Sequence, residues 1–126
     1  MTVPGLRLKA LPGRFAICRL DPGAVPFWEA GAFYSVTQTA DELSVVCAEA
    51  DVPEGVRHSP GWRILGVSGR LDLALVGVLS ALTAPLASAG ISVFALSTFD
   101  TDYLLVQEPN LDRAVEALRS AGHLVE

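Results

Sequence analysis

The order of the apolar segments in residues 61–126 constrains the fold more than any other feature of this sequence. Apolar residues recur there at the spacing of strands or of helices in six successive segments. The predicted segments are a strand at 62–68, a helix at 73–88, strands at 91–96 and 102–107, a helix at 111–121 and a strand at 123–125. This strand-helix-strand-strand-helix-strand order is that of the ferredoxin-like βαββαβ fold, so we predict an α+β domain with an antiparallel sheet.

The predicted helix at 73–88 carries no charge on any side, and Asp72 before it is a candidate N-cap. One face is a leucine stripe suited to the core, and the opposite face has small residues that let another element approach closely. The stripe is Leu75, Leu79, Leu82 and Leu86, and the small residues are Gly77, Ala81, Ala84 and Ser88. A helix apolar on all sides is normally buried on all sides, by the N-terminal lobe or by a second chain. We favour a homodimer.

The uncharged run at 73–99 is long enough to raise the alternative of a membrane span. Several serines and threonines, Pro85 and Gly90 interrupt it, which favours a helix that stops and a strand that follows.

The apolar pattern of residues 1–60 predicts strands but no strong helix. We expect strands at 6–11 and 14–20, a hairpin at 32–37 and 42–48, and at most one helical turn at 26–30. Shifting the sequence by 61 residues aligns 33–45 with 94–106 and puts Asp41 opposite Asp102. This repeat predicts two similar lobes, 1–60 and 61–126, with the first degenerate. The alternative is a chance likeness between two apolar hairpins.

Charge and cysteine usage exclude several classes of function. Nine basic and fourteen acidic residues give a net charge of −5, and no basic patch suits a nucleic acid or an anionic membrane. The N-terminus lacks the apolar stretch of a signal peptide, so a cytoplasmic protein is expected. Cys18 and Cys47 lie in apolar runs and predict buried thiols, with a disulfide as the alternative.

The motifs of common enzyme classes are absent. There is no GxGxxG, GxxxxGK[ST], HExxH or GxSxG, and Asp100 and Asp102 lack the further ligands that a metal site needs. His58 and His123 lie beside turn residues and are expected at the surface, although a Cys47–His58 pair stays open. We expect no enzyme activity, no cofactor and no metal.

The segment 61–107 resembles an ACT domain, most specifically at 84–106 (APLASAGISVFALSTFDTDYLLV), and 33–47 resembles the hairpin of a partner lobe. Similar domains occur in small bacterial tandem-ACT proteins, in CASTOR-type arginine sensors and in aspartate kinase regulatory domains. The resemblance implies a regulatory protein that binds a small molecule, mostly an amino acid, where two lobes or two subunits meet. A separate enzyme or protein would then be the regulated partner.

Carried over by position, the resemblance assigns ligand contacts to the start of the first helix, the next strand and the hairpin. The residues are Asp72, Leu73, Leu75, Ile91, Ser92, Val93 and Asp102. Asp102 matches the hairpin aspartate of arginine-binding relatives, but Leu75 stands where they carry an acid, which favours a smaller or more apolar ligand.

Elementary chemistry agrees, because N–H groups at a helix start bind a carboxylate and Asp102 or strand carbonyls bind an ammonium. A protein-interaction module without a small ligand is the alternative function.

Overall fold

The computed structural model describes residues 5–25 and 31–126 and has an α+β fold. Its strands are β1 Arg7–Ala10, β2 Phe15–Leu20, β3 Ser35–Gln38, β4 Leu43–Ala48, β5 Arg57–Val67, β6 Phe94–Ser97, β7 Asp102–Gln107 and β8 Leu124–Val125. The helices are α1 Val78–Ser88 and α2 Leu111–Ser120, and single 3₁₀ turns lie at Glu49–Asp51 and Glu108–Asn110. Within the described residues, no helix is both long and apolar enough to cross a bilayer.

The chain divides into two compact units, Gly13–Trp62 and a second made of Arg63–Glu126 with the N-terminal residues up to Pro12. The division between the two units falls at 62–63, and the N-terminal strand, which was expected in a lobe at 1–60, belongs to the second unit. The pairing of this strand, β1, explains why it belongs to the second unit. Leu8, which is fully buried, lies opposite Val67 on β5 and opposite Val125 on β8. The β1–β8 pair is parallel, whereas the β1–β5 and β6–β7 pairs are antiparallel, as predicted for the sheet.

The second unit has the predicted ferredoxin-like order of elements, β5-α1-β6-β7-α2-β8. Its strands lie side by side in the order β8-β1-β5-β7-β6. The predicted hairpin is present, with Phe94 opposite Leu105 and Ser97 opposite Asp102 in antiparallel register.

Both helices pack on one face of this sheet. Leu82 and Leu86 of α1 and Leu118 of α2 are fully buried against strand residues such as Leu65 and Leu104. Truncating such a leucine to alanine typically costs about 2–5 kcal/mol, so this layer supplies much of the stability.

The first helix begins five residues later than predicted. Asp72 is not its N-cap, because its Oδ1 accepts a hydrogen bond from Ala74 N (2.9 Å) and its carbonyl accepts one from Leu75 N (2.9 Å). These bonds close a turn before the helix. Gly77 then adopts a left-handed conformation (φ 89°), from which α1 starts at Val78. Consequently Leu75 lies outside the helix and Leu79 is 36% exposed, so only Leu82 and Leu86 of the predicted stripe are fully buried.

The first unit is an antiparallel sheet of β3, β4, β2 and the first half of β5. Its described residues contain no α-helix, and the predicted helical turn at 26–30 lies outside them. One face buries a small cluster that includes Cys18, Val45 and Cys47. Both cysteines are buried thiols, as predicted. Burial and the neighbouring Cys47 raise the pKa of Cys18 to about 12.

The two hairpins do not superpose at the 61-residue offset. The β3–β4 turn spans 39–42 and the β6–β7 turn spans 98–101, an offset of 98 − 39 = 59. Thr39 and Thr98 make the same turn bonds, because each backbone N–H donates to the carbonyl three residues on. Asp41 therefore matches Asp100, and the counterpart of Asp102 is Leu43. The expectation of equivalent acids at Asp41 and Asp102 is wrong.

Candidate functional site

A cleft of about 300 Å³ opens in the second unit beside the start of α1. Its walls come from the segment 71–79, which precedes and begins the helix, and from the β6–β7 turn region, 97–102. The volume lies at the small end of the range for ligand pockets, which suits a molecule the size of an amino acid.

Hydrogen bonds tie the two walls of the cleft together. Leu71 N donates to the carbonyl of Asp100 at 2.6 Å, and the Arg70 guanidinium lies 3.2 Å from the Asp100 carboxylate. The charge of Asp100 is thus already balanced by a neighbour. This attachment holds the loop against the hairpin.

The hairpin turn is fixed from inside the unit. The Thr101 hydroxyl, which is buried, donates to the carbonyl of Val67 at 2.8 Å. Thr98 Oγ1 accepts the backbone N–H of Thr101 at 3.2 Å. Because a buried hydroxyl and a side-chain turn bond both hold it, this turn is a defined wall of the cleft.

Asp102 is the half-buried acid of the cleft. It lies opposite Ser97 in the hairpin, and the Ser97 hydroxyl donates to its Oδ1 at 2.5 Å. Asp102 forms no ion pair with any residue in the described part of the chain. A half-buried carboxylate with only a neutral partner can still accept a charge-assisted hydrogen bond from a cation.

The cleft also exposes apolar side chains at its rim. Phe99 is 74% exposed at the tip of the turn and Leu73 is 68% exposed on the facing loop. Val76 in the same loop is 84% exposed. Exposed large apolar residues gathered at a cleft are typical of a binding surface.

The structure brings four of the seven predicted ligand residues to this cleft: Asp72, Leu73, Leu75 and Asp102. The other three lie elsewhere. Ile91 is buried in the helix–sheet core, Val93 packs against that core, and Ser92 is exposed before β6. None of them lines the cleft.

Sequence reasoning missed Leu79, Ser97 and Phe99 as cleft residues. The signal that could have identified Ser97 was the hairpin itself, because a four-residue turn at 98–101 necessarily sets Ser97 opposite Asp102. Leu79 could not be identified while the helix start was placed at 73.

The remaining candidate chemistry is not assembled. The described residues contain no cluster of His, Cys, Asp and Glu that could hold a metal ion. Cys47 is fully buried whereas His58 is exposed. His123 is buried, not at the surface as predicted: its Nδ1 accepts the backbone N–H of Leu6 at 3.0 Å, and its Nε2 lies 3.0 Å from the carbonyl of Ala81. It is a structural residue.

Fold and cleft together define a ferredoxin-like α+β domain with a small-molecule-sized cleft next to its first helix. A family model of the ACT domain matches residues 57–120, just over half of the chain. The chain belongs to the ACT domain family. A second model, described as an N-terminal domain, matches residues 13–55.

Solved structures share the fold of this chain. Protein Atu0741 from Agrobacterium tumefaciens is 38% identical, with a TM-score of 0.92 over 98% of this chain and 94% of that one. The regulatory subunit of aspartate kinase from Thermus thermophilus, in a ligand-free form, has a TM-score of 0.65 over 91% of this chain and 96% of that one. Its 9% identity shows a common fold alone.

Among curated proteins, the human cytosolic arginine sensor for mTORC1 subunit 1 is 29% identical over 101 residues. The match covers 68% of this chain but only 30% of the sensor, so this chain spans less than a third of that relative.

Proposed function

We propose that this protein is a regulatory amino-acid sensor and that the cleft at 71–79 and 97–102 holds the ligand. One observation carries the proposal: a half-buried carboxylate, Asp102, lies in a cleft of amino-acid size with only a serine hydroxyl on its Oδ1. Asp102 would accept a hydrogen bond from the α-ammonium of the ligand. Family membership and the arginine sensor among the relatives support the same function.

The ligand carboxylate is assigned to the start of α1. Val78 and Leu79 line the cleft, and no side chain caps the N-terminus of this helix. The first N–H groups of a helix lack partners within the helix and bind anions well. The N–H groups at 72–75, proposed from sequence for this role, lie in the turn before the helix instead.

The proposal includes a second copy of the chain as a partner that closes the cleft at an interface between subunits. The exposed Leu73 and Phe99 at the cleft rim and the exposed Val76 in the loop before α1 support it, because such side chains are commonly buried by association. A separate enzyme or protein that responds to the ligand completes the proposed regulation. We propose no catalytic activity and a cytoplasmic location.

The same exposed rim favours one alternative, a protein-interaction module that uses this surface without a small ligand. Thermal shift and calorimetry with the twenty amino acids separate the two functions. A ligand at 100 times its Kd stabilises the folded chain by about 2.7 kcal/mol. Binding below millimolar concentration supports the sensor, and no binding by any amino acid supports the interaction module.

The role of Asp102 has its own test. Charge-assisted hydrogen bonds contribute about 1.5–3 kcal/mol, so Asp102→Ala should weaken binding roughly tenfold to a hundredfold. Asp41→Ala is the matched control, because Asp41 is an exposed acid in the other hairpin turn and lies outside the cleft. If Asp102→Ala binds the ligand as tightly as the control does, Asp102 is only a turn residue.

A further inference from the structure

The charges around the cleft leave a single carboxylate suited to a ligand cation. Three acids line it, but Asp100 is paired with Arg70. Asp72 is exposed, and its Oδ1 is engaged by Ala74 N. Only Asp102 is half-buried, and burial is what makes an ionic contact strong against solvent screening. One such acid matches one ammonium, the α-ammonium of an amino acid.

The rest of the lining is largely apolar. Leu71 and Leu75 are half-buried and pack against the core beneath the cleft. Leu73 and Phe99 stand at its mouth, 68% and 74% exposed. Leu79, at the start of α1, is 36% exposed. An apolar ligand side chain would remove these surfaces from water, which is favourable in proportion to the area buried.

A cationic ligand side chain finds the opposite conditions. It would lose hydration against Leu73, Leu75 and Phe99 without a second half-buried acid in the described lining to compensate. The first turn of α1 also contains no acidic residue.

We infer that the cleft selects amino acids with an apolar side chain, such as leucine, methionine or phenylalanine, over arginine and lysine. This inference rests on the proposed amino-acid function and adds the class of ligand. In this assignment Asp102 binds the α-ammonium of the ligand. The ligand side chain contacts Leu73, Leu75, Leu79 and Phe99, which determine the kind of side chain that binds. An apolar amino acid then gains contact with these side chains, whereas arginine or lysine loses the hydration of its charged side chain without a compensating acid.

The test is calorimetry of the full chain with leucine, phenylalanine, arginine and lysine. We expect the wild type to bind an apolar amino acid about tenfold or more tightly than arginine or lysine, since even one missing methylene in an apolar pocket costs about 10–200-fold and an uncompensated charge costs more. Leu79→Glu, at a 36% exposed position in the first turn of α1, should narrow or reverse this ratio by supplying a second acid that is less exposed than the residues at the mouth of the cleft. Leu124→Glu is the matched control, because Leu124 is 60% exposed on β8 and away from the cleft.

A second variant, Phe99→Ala, keeps every charge of the cleft and removes only apolar surface from its lining. It should weaken binding of the apolar amino acid more than binding of arginine.

The outcomes distinguish the inference from the function on which it rests. If arginine or lysine binds the wild type as tightly as leucine or phenylalanine, the inference is overturned and the sensor function stands. An equal effect of Leu79→Glu and Leu124→Glu on the ratio also overturns it. If no amino acid binds, the sensor function fails and the inference with it.

Discussion

At the scale of single residues, His123 is one of the few polar side chains buried in the second unit. It joins the N-terminal strand region to α1, since its two ring nitrogens contact Leu6 N and the Ala81 carbonyl. With Nδ1 as acceptor and Nε2 as donor, both backbone groups are satisfied by one neutral ring. Few side chains other than histidine carry a hydrogen-bond acceptor and a hydrogen-bond donor on two separate atoms of one small ring.

His123→Ala should therefore lower the free energy of unfolding by about 2–4 kcal/mol, because it removes the partner of one buried N–H group and of one partly buried carbonyl. Urea unfolding followed by circular dichroism measures this change. His58→Ala is the control: His58 is exposed, and its loss should change stability by less than about 0.5 kcal/mol. Equal effects of the two substitutions would contradict the structural role of His123.

The raised pKa of Cys18 predicts a loss of stability in alkaline solution. Burial raises the pKa of the Cys18 thiol from its ordinary value of 9.0 to about 12, so the contribution of this thiol to stability is complete below pH 9. That contribution should fall by about 1.4 kcal/mol per pH unit between pH 9 and pH 12. Urea unfolding at pH 8 and pH 10 tests it. Cys18→Val should have a shallower slope than the wild type, and an identical slope would show that another group is responsible.

At the scale of secondary structure, β1 is the strand whose place the sequence pattern did not indicate. It lies between β5 and β8 and contributes the fully buried Leu8 to the core beneath the helices. The second unit is thus completed by residues that precede the first unit in the chain.

Because of this placement, Leu8→Ala should destabilise the second unit by about 2–5 kcal/mol. Leu124→Ala, on the neighbouring strand but 60% exposed, should cost far less. Chemical unfolding of both variants gives the comparison. If Leu8→Ala changes the free energy of unfolding only slightly, β1 is dispensable for the stability of the second unit.

At the scale of the whole molecule, the proposed second copy makes a clear prediction. Light scattering after gel filtration at micromolar concentration should give twice the 13.3 kDa mass of one chain. Val76→Glu, at an 84% exposed position in the loop before α1, should shift the mass to that of one chain by burying an uncompensated charge. A single-chain mass for the wild type contradicts the homodimer.

The sequence by itself determined the order of elements in the second unit, because helical and strand periods and the Gly90 helix stop are local properties. It also determined the β6–β7 hairpin and the burial of both cysteines. The position of Asp102 at the start of β7 follows from the same local signals. Its place in a cleft depended on the helix start, which a leucine pattern alone placed too early.

The tertiary structure decided what depends on contacts between distant residues. Insertion of β1 between β5 and β8 requires pairings about 60 and 117 residues apart in the chain, which no local period encodes. The start of α1 at Val78 follows from a turn at Asp72 that is held to the hairpin through Leu71 and Asp100. The same contacts set the loop and the hairpin face to face. The cleft therefore exists only in the folded unit, since its two walls are joined by hydrogen bonds between residues about thirty positions apart.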